Sequence, residues 1–176
     1  MKRAVFLDRD GVINTVVLRA GKPASPRTLE EFQLEPEIEK PLRELRAANL
    51  ALLVVTNQPD IARGRLRPEV LAQFHRQVLD HLPIEAIEVC PHDDADGCLC
   101  RKPKPGMLTA LAARRGVELR HSFMIGDSWR DMQTARAAGC AAIILDRAYN
   151  RADDADWRVA SLAEAARLIL NMVGDE

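Results

Sequence analysis

A chain of 176 residues with 47% hydrophobic and 29% charged side chains is sized for one domain, residues 1–176, that buries its own core without staples. A formal net charge of −1 excludes the basic footprint of a nucleic-acid binder, and apolar stretches such as Leu50 to Val55 are strand-sized, too short to span a membrane. The N-terminus has neither the apolar core nor the cleavage site of a secretion signal, so a cytoplasmic protein is expected, and with no apolar stripe standing out, a monomer.

In chain order, short apolar runs at Ala4 to Leu7, Leu50 to Val55, Ile84 to Val89, Ser122 to Ile125 and Ala141 to Leu145 predict buried strands. Helices are predicted between most of them. Pro36 can open one running toward Ala48, with Pro41 near its start, and Pro68 opens another over Glu69 to Leu82, where Leu71, Phe74 and Val78 share a face. Met107 to Arg115 ends at Gly116, and Arg130 to Ala138 ends at Gly139, each glycine standing where a helix terminus calls for one. Ser161 and Glu164 form a Ser-x-x-Glu start signal for a last helix through Val173. Strands alternating with helices predict an α/β fold, a mostly parallel Rossmann-like sheet covered on both faces, whose ligands gather beyond the carboxyl ends of the strands.

Chemistry-bearing residues fall at those ends. The first strand runs into Asp8-Arg9-Asp10-Gly11, and the period of two sends Asp8 and Asp10 to one face and Arg9 away. One carboxylate can then stand in line with a phosphorus while the other handles the leaving group's proton, although a solvated loop start carries the same pattern. Thr56 and Asn57 follow the second strand, Asp127 follows Phe123 to Gly126, and Arg101-Lys102 precedes the Pro103 to Gly106 turn. A phosphate dianion repels a carboxylate nucleophile, so a cation must offset the charge. Mg²⁺ can do so through Asp8, Asp127 and a backbone oxygen near Asp10, Lys102 adds a second positive charge, and the Thr56 hydroxyl can bind phosphoryl oxygens. Asp8 would form an aspartyl phosphate. Asp10 would give and then take a proton, which calls for a pKa above that of a free aspartate.

Asp8-x-Asp10-Gly-Val, Thr56, Lys102 and Gly126-Asp127-x-x-x-Asp131 together resemble the four motifs of the haloacid dehalogenase superfamily, over about Arg3 to Leu145. The resemblance implies a Mg²⁺-dependent phosphatase. The intervals Asp10 to Thr56 and Thr56 to Lys102 leave no room for a separate cap domain, so a capless, open site is expected, shaped by Thr15 to Leu34, Asn57 to Arg67 and Cys90 to Arg101.

Cys90, His92, Cys98 and Cys100 offer three thiolates and an imidazole, a closed tetrahedral set for structural Zn²⁺, with unbound cysteines or a disulfide as alternatives. The segment between them is too polar to order itself by burial, so metal would supply the ordering free energy. Cys140 stands apart as a small core residue. Within the superfamily this loop, with Cys100-Arg-Lys-Pro-Lys-Pro-Gly-Met107 and Thr56-Asn-Gln-Pro-Asp-Ile-Ala-Arg-Gly64, is similar to the subgroup of heptose bisphosphate and histidinol-phosphate phosphatases. That similarity implies a small phosphorylated sugar as substrate, bound by Asn57, Gln58 and Arg101. The chain departs from the heptose-type pattern at Pro59-Asp60, at Ser128 and over Arg19 to Thr28, all near the expected substrate.

Arg19, Lys22, Arg27, Arg63 and Arg65 are candidates for a second phosphate. His75, His81 and His121 are expected at the surface or in caps, and Trp157 in a polar segment, Arg151 to Arg158. The competing reading is a zinc-stabilised binding module that keeps the fold without catalysis.

Overall fold

Alternate residues of the first strand belong to different cores: Val5 and Leu7 pack in one buried cluster, Ala4 and Phe6 in another. A strand buried on both faces needs layers on both sides, and the computed structural model, which describes residues 2–150 and 154–174, supplies them. The elements are β1 (Ala4–Leu7), β2 (Val17–Arg19), β3 (Lys22–Ala24), α1 (Glu39–Ala47), β4 (Ala51–Asn57), α2 (Pro68–His81), β5 (Ala86–Cys90), α3 (Gly106–Arg115), β6 (Phe123–Gly126), α4 (Trp129–Ala138), β7 (Ala141–Leu145), β8 (Trp157–Val159) and α5 (Leu162–Gly174). Leu42, Leu45, Phe74, Val78 and Ile169 place α1, α2 and α5 on the Val5/Leu7 face. Met107, Leu108, Met132 and Ala135 place α3 and α4 on the other.

Six strands form a parallel sheet in the order β5-β4-β1-β6-β7-β8. β1 is central, with the chain winding outward from it in both directions, so the crevice beyond its carboxyl end is the switch point where such sheets bind ligands. Leu7 pairs with Val54 of β4 on one side and Ile125 of β6 on the other. The Asp8 amide then donates to the Ile125 carbonyl at 2.9 Å, so Asp8 leaves the sheet between the ends of β4 and β6.

The predicted elements form with three differences. The first helix starts at Glu39 because Glu37 has a φ of 58°, a left-handed backbone that cannot continue a helix from Pro36. A sixth strand, β8, occupies part of the expected polar segment. Trp157 and Arg158 are exposed and only Val159 is buried, so three residues on an edge carry too little pattern to be read as a strand. Arg151 to Asp153 of that segment lie outside the described residues. The antiparallel hairpin β2–β3 stands in the expected Thr15 to Leu34 loop, turned by Ala20 and Gly21 at positive φ. Among the described residues no helix is long and apolar enough to cross a membrane.

Candidate active site

Asp8 is held by its neighbours before any ligand arrives. Its Oδ1 accepts from the Arg9 amide at 2.7 Å and from Lys102 Nζ at 2.8 Å, while Oδ2 has no hydrogen bond among the described residues. Lys102 comes from the loop ahead of α3 and is almost wholly buried. Its other two ammonium protons go to Asp131 Oδ1 at 2.6 Å and the Val55 carbonyl at 3.2 Å. All three donors of the lysine are therefore in use, and it meets a phosphate only by exchanging one of them. Desolvation by burial would lower its pKa, but the charges of Asp131 and Asp8 outweigh it and raise it. Asn57 fixes the same loop, donating to the Lys102 carbonyl and accepting from the Lys102 amide, both at 3.1 Å.

Asp8, Asp127 and Asp131 bring carboxylate oxygens within 4.8 Å of one another. Asp131 is fully committed, with Oδ1 on Lys102 and Oδ2 accepting from the Ser128 amide and hydroxyl at 3.1 and 2.6 Å. Gly126 permits this packing, since a Cβ there would stand 2.2 Å from Asp131 Cβ. Asp8 and Asp127 each keep one oxygen without a donor among the described residues. Two such oxygens in a cluster short of positive charge are what a hard divalent cation requires, so these residues fit Mg²⁺. Burial, then the charge of Asp131, drive the Asp8 pKa well above its ordinary value, with Asp127 and Asp10 adding to the rise and Lys102 opposing it.

The Asp127 carboxyl is pushed up to about 7 by burial and the charge of Asp131, with the Tyr149 hydroxyl pulling back. The folded chain thus binds this proton more tightly than the unfolded chain. In metal-free protein its contribution to stability falls as pH rises from about 4 through about 7. A cation must displace that proton, so saturating Mg²⁺ is expected to raise Tm more at about pH 8 than at about pH 5.5. Equal shifts at both values, measured by calorimetry, would contradict the site.

Asp10 departs from expectation. Its Oδ1 accepts from Arg9 Nη2 at 2.8 Å, Arg9 Nε at 3.2 Å and Asn14 Nδ2 at 2.9 Å, and its Oδ2 from Ser25 Oγ at 2.7 Å and Gln58 Nε2 at 2.9 Å. Burial alone would raise its pKa, but the Arg9 charge and the bonds from Arg9, Asn14 and Ser25 outweigh it and hold the carboxyl below its ordinary value. A raised pKa was the expectation, and the cause of the difference is Arg9. Rather than projecting away, Arg9 is fully buried and doubles back on Asp10, its guanidinium carbon 5.7 and 5.6 Å from the stacked rings of Phe32 and Phe74.

His75 is half-buried against that arginine: its Nε2 lies 3.4 Å from Arg9 Nη1, and burial and the Arg9 charge lower its pKa to about 4. Since arginine only donates, Nε2 must be the accepting nitrogen. His81 does stay exposed, and His121 pairs with Glu118.

Gln58 is fully buried, its amide bridging Asp10 and the Thr56 hydroxyl, both at 2.9 Å. That bond fills an acceptor position on Thr56 and leaves the hydroxyl proton for another oxygen. Asn14 and Ser25, both on Asp10, carry no motif signal. Ser25 reaches the site because the β2–β3 hairpin delivers it there.

Cys90, at the end of β5, His92, Cys98 and Cys100 form the second cluster. Cys98 Sγ lies 3.6 and 3.5 Å from the sulfurs of Cys90 and Cys100, and His92 Nδ1 lies 3.6 and 3.3 Å from those of Cys90 and Cys100. Bonds of about 2.3 Å to sulfur and about 2.1 Å to nitrogen give tetrahedral edges of roughly 3.6–3.8 Å, so the donors fit a zinc-sized ion through Nδ1. The described cysteines are all free thiols, with no disulfide among them. Lys104 secures the loop, donating to the Gly97 and Cys98 carbonyls at 3.2 and 2.6 Å.

A cleft of about 680 Å³ opens over Asp8, Asp10 and Asp127, with Arg27, Arg63, Arg101 and Arg130 on its walls. Three of these arginines already face carboxylates. Arg27 donates to Asp60 at 2.7 Å, Arg63 to Asp93 and Arg101 to Asp94 at 2.7 Å. Arg19 is tied to Glu31.

Residues 99–175 match a family model described as HAD-hyrolase-like. A D-glycero-beta-D-manno-heptose-1,7-bisphosphate 7-phosphatase from Escherichia coli K12 is 32% identical, covering 94% of this chain and 93% of its own. The enzyme of the same name from Pseudomonas aeruginosa is 36% identical over 146 residues, 80% of this chain and 79% of its own. The crystal structure of D,D-heptose 1,7-bisphosphate phosphatase from B. bronchiseptica with magnesium and phosphate superposes with a TM-score of 0.83 at 31% identity, covering 98% and 99% of the two chains. The chain belongs to the haloacid dehalogenase-like hydrolases. Within them it is a magnesium-dependent phosphatase.

Proposed function

We propose that this phosphatase removes a phosphate from a small sugar bisphosphate through an aspartyl-phosphate intermediate, the substrate being the 7-phosphate of D-glycero-beta-D-manno-heptose 1,7-bisphosphate. The observation that carries the chemistry is Asp8, bonded to Lys102 at 2.8 Å and clustered with Asp127 at the switch point of the sheet. The names of the relatives support the sugar, and the cleft beside Asp8 has volume and arginines for a second phosphate, with Arg27 and Arg63 best placed of the five sequence candidates.

One carboxylate oxygen of Asp8 attacks phosphorus as the bond to the sugar oxygen breaks, which leaves the other for the cation. Lys102 and the Arg9 amide orient the attacking carboxylate, and the Thr56 proton is directed to a phosphoryl oxygen. Magnesium, held by Asp8, Asp127 and a backbone oxygen near Asp10, supplies the charge that lets an anionic nucleophile approach a dianion. Asp10 gives the alkoxide its proton. The incoming dianion beside it supplies the upward pKa shift that the ligand-free site lacks. Asp10 then takes a proton from the water that cleaves the acyl phosphate, which frees phosphate and restores Asp8.

Zinc on Cys90, His92, Cys98 and Cys100 holds the loop that ends in Arg101 and Lys102, which gives the metal a structural part in placing the cleft wall. Arg101 contributes to substrate binding, and the working unit is a cytoplasmic monomer. The test is phosphate release from heptose 1,7-bisphosphate, the corresponding monophosphates and histidinol phosphate, with zinc measured on the same sample. The bisphosphate is expected to turn over with the highest kcat/KM and zinc to be present at about one ion per chain. A preference for histidinol phosphate would reassign the substrate.

A further inference from the structure

The segment after β7 enters the site at three points. Arg147 Nη2 donates to the Gly11 carbonyl at 3.0 Å, the Tyr149 hydroxyl donates to Asp127 Oδ2, and Asn150 Nδ2 donates to the carbonyls of Asp127 and Leu145 at 2.9 and 2.7 Å. Three residues thereby tie the turn after β1 to the turn after β6. Gly11 is part of the arrangement: with φ at +83°, its missing Cβ would stand 1.9 Å from Asp127 Oδ2 and 2.8 Å from the Tyr149 oxygen. Glycine leaves the space that both oxygens occupy. None of the superfamily-like motifs in the chain includes this segment.

We propose that Tyr149 is a positioning residue for the magnesium site: its hydroxyl, fixed between the Arg147 and Asn150 anchors, locks the Asp127 carboxylate with Oδ2 on the phenol and Oδ1 turned to the cation. The proposal rests on Asp127 being a ligand. A carboxylate torsion is broad when free, and a single fixed donor narrows it before the cation binds, so the ordering cost falls on folding instead of on metal binding. The phenol has one proton to give. With that proton on Asp127 it cannot also be given to a substrate oxygen, although the ring is 37% exposed on the cleft wall.

The test is Tyr149→Phe in the full chain, with Mn²⁺ binding followed by electron paramagnetic resonance in the absence of substrate and activity measured against Mg²⁺ concentration. The Kd for Mn²⁺ is expected to weaken by about tenfold or more, with kcat at saturating Mg²⁺ changed by no more than about threefold. An unchanged Kd overturns the proposal. So does tighter binding, which would make the phenol a competitor of the cation, and so does a fall in kcat with Kd unchanged, which would place Tyr149 on the substrate. Asp127→Asn separates the two levels of the argument. If that variant binds Mn²⁺ like the wild type, the ligand assignment itself fails. If it loses the metal while Tyr149→Phe does not, only the positioning role fails.

Discussion

Replacing Asp8 by asparagine is expected to lower phosphate release by at least about 10⁴-fold while leaving the metal-free protein as stable as the wild type, or more stable, near neutral pH. The loss follows because an amide cannot form the acyl phosphate. The stability follows from linkage. Burial and the charge of Asp131 raise the Asp8 pKa well above its value in the unfolded chain, so the folded state holds this proton more tightly. Stability then declines as pH rises from about 4 through the folded pKa, and above that the whole penalty for a crowded charge is present. Asparagine carries no charge there, and its carbonyl can still accept from the Arg9 amide and Lys102, which keeps Asp131 as a partner. Calorimetry with a phosphate-release assay on one preparation checks both halves. A variant retaining more than about one part in a hundred of the activity would remove Asp8 as the nucleophile.

Lys102→Met tests the opposite charge, and here both activity and stability are expected to fall. Methionine fills most of the volume, but Asp8 and Asp131 lose their shared cation and the Val55 carbonyl loses a donor. Removing one member of a buried charge group costs about 3–5 kcal/mol because the partners remain buried and uncompensated. For a chain of this length that corresponds to a drop in Tm of roughly 10 °C near neutral pH. Turnover should fall by about 10³-fold, since the same ammonium orients the nucleophile and offsets the phosphate. The Lys102 pKa is raised in the folded state, so its own stabilising contribution is intact at neutral pH and is lost only in strong alkali. The deficit of the variant should shrink toward about pH 5, where Asp8, its pKa raised by burial and the charge of Asp131, takes up a proton. A Tm equal to the wild type at neutral pH, or a deficit independent of pH, would contradict the buried triad.

Much of this site is visible in the chain as residue types at fixed offsets. Asp8 and Asp10 at a strand end, Gly126-Asp127, the Cys90 to Cys100 ligand set and the capped helices are local patterns, and local geometry translates them directly. The hairpin and β8 were not legible because three-residue strands with exposed side chains carry almost no periodicity. Gln58 follows Thr56 in a motif-like string, and nothing in that string shows that its amide bridges Asp10 and the Thr56 hydroxyl.

What the sequence determined by itself was the order of strands and helices, the parallel sheet they imply, and the inventory of nucleophile, cations and metal donors, because each depends on near neighbours along the backbone. Only the tertiary structure decided how those groups are tuned. Arg9 folds back onto Asp10 because Phe32, Phe74 and His75, the last 66 positions away, enclose it. Gln58 and Ser25 reach Asp10 across separations of 48 and 15 residues, and Tyr149 reaches Asp127 only because β7 lies beside β6. Charge stabilisation falls off with distance through space, not along the chain, so the protonation state of each carboxylate is a property of the fold.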